Sequence, residues 1–100
     1  MPRVIFSISY PVKDESREEY LETIKALKEH LTSTRNKDYS VYENKNRLNH
    51  FSEVYICKDE EEYEMLEDEE DDISNELIDR IVNEYIQDGK VEYRTLIESA

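Results

Sequence analysis

The sequence has one cysteine, one glycine, two prolines and no tryptophan. It also lacks a long apolar run and a cluster of basic residues. With Cys57 alone, no disulfide forms within the chain and no multi-cysteine metal site is available. Cys57 follows Ile56 in a strand-like stretch and reads as a small buried hydrophobe rather than a reactive thiol. No stretch reaches the ~18 consecutive apolar residues of a membrane-spanning helix. The start, Met1-Pro2-Arg3, lacks the apolar core and small-residue cleavage site of a secretory signal, so a cytosolic location is expected. Without basic residues massed to neutralise phosphates, nucleic acid and anionic membranes are poor partners.

Charge of the other sign is abundant. The net charge is −13, and eleven of the fourteen positions 59–72 are acidic. Setting those eleven aside leaves 15 acids against 13 bases, so the rest of the chain is close to neutral. The run lacks the Asp-x-Asp-x-Asp-Gly pattern of a calcium loop. It reads as a solvated helix face that keeps the protein soluble, with a basic protein partner as the other reading.

The order of periods defines the fold. Residues 3–12 alternate, 18–31 repeat at helical spacing, and 39–45 and 50–58 alternate again. The hairpin between the last two is expected at 46–49. In the first helix, Tyr20, Leu21, Ile24, Leu27 and Leu31 form the apolar stripe. Asp14 or Ser16 is its expected cap. A second helical region follows in two pieces. The first carries Tyr63 and Leu66; the second runs from Ile73 to a stop at Asp88-Gly89, with Ile86 in its stripe. Residues 90–98 alternate once more. Strand, helix, strand, strand, helix, strand is the ferredoxin-like βαββαβ unit, an α+β fold with a four-stranded antiparallel sheet. At 100 residues it forms one domain, 1–100, of a size that benefits from a second subunit.

Such a sheet carries both helices on one face. The face that fits holds Val4, Phe6, Ile8 and Tyr10, with Tyr39 and Val41, Val54 and Ile56, and Val91, Tyr93 and Ile97. The opposite face then holds Ile5, Ser7 and Ser9, Tyr42 and Asn44, Phe51, Glu53, Tyr55 and Cys57, and Arg94 and Leu96. Its apolar members form a patch of the kind that marks an interface or ligand site. Two copies closing face to face into a barrel would cover it and leave the polar members lining a cavity.

The chain resembles the dimeric α+β barrel superfamily, and within it the antibiotic biosynthesis monooxygenase-like proteins. The likeness rests on the element order and on Phe51-Ser52-Glu53-Val54-Tyr55, an aromatic-x-Glu-x-aromatic strand followed by an acidic helix start. It implies a homodimer with a ligand cavity in each half. Active members commonly carry an asparagine on strand one, a tryptophan in the cavity and a histidine on the second helix. Here strand one offers Ser7 and Ser9, tryptophan is absent, and residues 59–87 contain no histidine. The fold carries over without that catalytic set, and no cofactor or metal is expected.

The candidate ligand-binding residues are Ser7, Ser9, Tyr42, Glu53, Tyr55 and Arg94. On one face, a carboxylate, a guanidinium and hydroxyls would orient a small polar or aromatic ligand, and burial would raise the Glu53 pKa toward proton transfer. The competing reading is an Arg94–Glu53 ion pair at the dimer interface, with the tyrosines as filler. His30 and His50 have no partner histidine at ligand spacing and read as helix-end and surface residues. Three function classes follow. The favoured one is a homodimeric barrel protein of unassigned activity that binds a small ligand. The others are a cofactor-independent monooxygenase-like or isomerase-like enzyme, and an acidic protein-interaction module.

Overall fold

The computed structural model describes residues 2–68 and 71–100. Strand β1 (Val4–Pro11) leads through a short 3-10 turn into α1 (Arg17–Glu29), which a π turn extends through Thr34. Strands β2 (Tyr39–Glu43) and β3 (His50–Cys57) form the hairpin. Helices α2 (Glu60–Asp68) and α3 (Asp72–Arg80) follow; α3 ends in a π turn through Tyr85, and β4 (Glu92–Ile97) closes the chain. The sheet is antiparallel in the order β2-β3-β1-β4. This is the expected α+β, ferredoxin-like arrangement. Among the described residues, no helix is long and apolar enough to cross a membrane.

Amphipathic spacing on α1 explains where the core sits. Tyr20, Ile24, Leu27 and Leu31 meet Tyr10, Tyr39 and Phe51 from the sheet and Ile81, Tyr85 and Ile86 from the end of α3. Leu21, expected in the stripe, lies at its edge and is exposed, whereas Thr23 is buried with its hydroxyl 3.3 Å from that of Tyr85. Neither Asp14 nor Ser16 caps α1 through its side chain. Asp14 instead accepts a hydrogen bond from the Asn49 amide. Arg17 fixes this corner of the hairpin. It donates to both oxygens of Glu43 at 2.6 and 2.9 Å and to Asn49 at 2.7 Å, and it lies over the Phe51 ring.

The second helical region ends earlier than Asp88-Gly89. Ile86 is already extended and pairs with Val12, and the Gln87 N–H donates to the Pro11 carbonyl at 2.9 Å. Asp88 and Gly89 then form the turn into β4, both at positive φ, where glycine carries no Cβ penalty. Two helical pieces, as expected, precede this turn. Asp71 caps the second one, accepting from the Ser74 N–H and hydroxyl at 2.8 Å each. The same carboxylate meets His30 at 2.8 Å and Arg35 at 2.7 Å. It thus ties the end of α1 to the start of α3.

One expectation about the sheet is overturned. Register places Val4, Phe6, Ile8 and Tyr10 opposite Cys57, Tyr55, Glu53 and Phe51, so these four β3 residues face the helices. Val54 and Ile56 face away, across from Ser7 and Ile5. Strand β3 is the reverse of the face assignment made from hydrophobicity. Both of its faces are largely apolar, and the single charge, Glu53, argued for the outward one. The structure buries that charge because tyrosine hydroxyls meet it.

Candidate functional site

The two faces of the sheet offer two different sites. On the helix face, Glu53 is buried, with 6% of its surface exposed. Tyr10 donates its hydroxyl to one carboxylate oxygen and Tyr39 to the other, each at 2.6 Å. These are lengths typical of hydrogen bonds to an ionised oxygen. The hydroxyl of Tyr20 lies 2.9 Å from that of Tyr10 and extends the chain. Burial raises the Glu53 pKa, and the two tyrosine donors oppose that rise. Burial, and then the Glu53 charge, push the phenols of Tyr10 and Tyr39 far above their ordinary range. The adjoining cavity, between the sheet and α3, is bounded by Glu53, Tyr55, Tyr93 and Val82 and measures about 70 Å³. At about 30 Å³ per water it holds about two, and a ligand pocket is ordinarily ~300–1,000 Å³. Tyr10, Tyr55 and Tyr93 share its wall with isoleucines and valines.

On the open face, residues fall into cross-strand rows. Leu96, Ile5 and Ile56 form an apolar row. Next comes Arg94 beside Ser7 and Val54, then Glu92 beside Ser9 and Ser52. The Ser9 and Ser52 hydroxyls are 2.7 Å apart. Tyr42 continues that row on β2 and is 57% exposed. These rows apart from Ile56 and Tyr42, with Asn44 and His50 beyond them, bound a groove of about 410 Å³. His50 keeps a buried Nδ1 without a hydrogen-bond partner.

Of the six candidate residues, Ser7, Ser9, Tyr42 and Arg94 share the open face, whereas Glu53 and Tyr55 lie on the other side of the sheet. The Arg94–Glu53 pair is therefore not formed, and the charge of Glu53 is met by phenols instead of a guanidinium. Sequence reasoning missed Ser52 and His50 on the groove and Tyr10 and Tyr20 beside Glu53. A signal was present in the correct parity: once Glu53 shares a face with Tyr10 and Tyr39, hydroxyl donors surround it. Cys57 is buried as expected, with its thiol pKa raised by burial.

The sequence matches no family model and no curated protein. Solved structures do match it along nearly its whole length. A conserved protein from Methanosarcina mazei Go1 superposes with a TM-score of 0.81 at 19% identity, over 99% of this chain and 95% of that one. A structure described as an antibiotic biosynthesis monooxygenase gives a TM-score of 0.69 at 16% identity, over 100% and 98% of the two chains. The chain has the antibiotic biosynthesis monooxygenase-like fold. An uncharacterised NIPSNAP domain protein from Burkholderia xenovorans shares this fold, with a TM-score of 0.74 at 15% identity over 97% and 95%. These likenesses support the α+β, ferredoxin-like fold expected from the sequence.

Proposed function

We propose that the chain works as a homodimeric α+β barrel that binds a small molecule between its two sheets and carries no reaction of its own. The observation that supports this most is the contrast between the faces. On the helix side, the cavity beside Glu53 is only about 70 Å³ and a second one, between Phe6 and α2, is about 220 Å³, whereas the open face presents a groove of about 410 Å³. Beside that groove runs the row Leu96–Ile5–Ile56, with Leu96 52% exposed. Association through the row removes apolar surface from water and leaves the polar rows as the walls of a cavity. A cytoplasmic location accords with Cys57 as a free, buried thiol. Monooxygenase chemistry gains no support from the residues, since the sequence has no tryptophan and its histidines are His30 and His50.

Sedimentation at micromolar concentration tests the dimer and should give about twice the chain mass. Leu96→Arg places a charge in the contact row and should yield folded monomers. Tyr55→Arg differs because Tyr55 packs against the helix-side core; it should unfold the domain. A wild-type monomer at that concentration would sink this reading.

A further inference from the structure

The helix-side network meets its own charge with its own hydroxyls, but the open face leaves polar groups unanswered. Arg94 makes no hydrogen bond or ion pair among the described residues, and it stands directly across from Ser7 at the edge of the groove. At the other end, His50 lines the same groove, and its Nδ1 is a buried polar atom with no partner. A buried polar atom of this kind calls for a water, an ion or a ligand group to satisfy it. Between these ends lies the Ser9–Ser52 hydroxyl pair, and Val54 supplies an apolar floor beside Ser7.

The register also fixes a scale. Arg94 and His50 are two strands apart and separated by about four residues along the strand direction. At ~4.8 Å between strands and ~3.4 Å per residue, their backbones stand roughly 16 Å apart. Both residues line one groove, so a ligand touching both is elongated. Removing Glu53 from this face changes the charge of the wall. The guanidinium now has Glu92 as the carboxylate on its own strand face, across from Ser9 and not from Ser7. The Arg94–Ser7 row is thus left free to take an anion, in the fork geometry that suits guanidinium to carboxylate and phosphate.

We infer that the groove binds a small elongated molecule with an oxyanion, carboxylate or phosphate, held by Arg94 and Ser7, and a hydrogen-bond acceptor at its far end met by His50. Ser9 and Ser52 contact its middle. This rests on the reading of the open face as the ligand cavity of a homodimer and names the class of ligand.

The test is an NMR titration of the full chain at pH 7 with 4-hydroxybenzoate and with 4-hydroxyphenyl phosphate, at constant ionic strength. The neutral isostere 4-hydroxybenzamide is the control, and sedimentation is run on the same samples. The amides of Ser7, Ser9 and Ser52 and the His50 ring should shift and saturate with at least one of the two anions. Saturation by 4-hydroxybenzoate alone assigns a carboxylate, and by 4-hydroxyphenyl phosphate alone a phosphate. Arg94→Met should weaken binding at least tenfold, and His50→Phe should weaken it less. Ser7→Ala, which leaves the guanidinium in place, should also reduce affinity. Three results would each overturn the inference: no saturable shift with either anion, equal affinity for the amide, or unchanged affinity in Arg94→Met. Saturable binding by a wild-type monomer would remove the dimer and leave the oxyanion site standing. A dimer without saturable binding would remove the site and leave the dimer.

Discussion

Glu53 shows how one residue decides what a strand does. A buried carboxylate is costly unless hydrogen bonds meet it, and here two phenols do so at 2.6 Å each. That solution was illegible in the sequence because it is tertiary: Tyr10, Tyr20 and Tyr39 come from three different elements. The charge of Glu53 argued for Val54 and Ile56 inward, and hydroxyls reversed the outcome. The balance of forces on Glu53 has a measurable sign. Its folded pKa is raised, so the folded protein holds this proton more tightly than the unfolded chain does. The associated stability is fully present below the ordinary pKa of about 4.5 and is lost as pH rises through the folded value. Glu53→Gln, which cannot titrate, should therefore cost more stability at pH 4.5 than at pH 7.5 in denaturant melts. The opposite slope would mean that the tyrosine donors outweigh burial.

At the scale of elements, the order of strands and helices was legible because period 2 and period 3.6 alternate cleanly along the chain. The ends were less so. Ile86 fits the helical stripe by spacing, but it leaves the helix to pair with Val12. Of the candidate site, the half on β1 and β4 was legible, since Ser7, Ser9 and Arg94 share the expected face. The half on β3 was not, since a one-residue slip moves every side chain of a strand to the other face. The joint between α1 and α3 was also hidden. Asp71 lies in a run of acids, and nothing local marks it as the residue that caps α3 and receives His30 and Arg35. The Ser74 N–H, above all, holds its pKa down to about 2, with the Ser74 hydroxyl and His30 adding to the effect. A depressed carboxylate contributes stability that is present above its unfolded pKa and lost as pH falls through the folded one. Asp71→Ala should cost about 0.5–2 kcal/mol near pH 7, the usual range for a lost N-cap. That cost should shrink between pH 4 and pH 2 in parallel urea titrations. A cost independent of pH over that window would detach the cap from the carboxylate charge.

At the scale of the whole molecule, the acidic run and the groove lie on different faces. Of the acidic run, Glu60, Glu61, Glu62 and Glu64 lie on α2 and Asp72 opens α3, on the helix side, whereas the row Leu96–Ile5–Ile56 and the groove lie on the open face. A net charge of −13 therefore discourages non-specific association while leaving the contact row uncharged. Among the described residues of the run, three acids have structural duties. Asp59 accepts from the Glu62 N–H at 2.9 Å, Glu62 accepts from the Lys58 N–H at 3.3 Å, and Asp71 caps α3. Neighbouring acids such as Glu60, Glu61 and Glu64 carry like charge at close spacing on one helix, where i,i+4 repulsion is unfavourable. Salt screens that repulsion, and at about 0.15 M the Debye length falls to roughly 8 Å. Thermal stability should therefore rise from low salt to that concentration, with most of the gain at the low end where screening changes fastest. Glu61→Gln and Glu64→Gln together should reduce the salt dependence without disturbing the sheet. A marked fall in melting temperature with added salt would mean that attractive ion pairs, such as Arg17–Glu43 and Arg35–Asp71, outweigh the repulsion along the run.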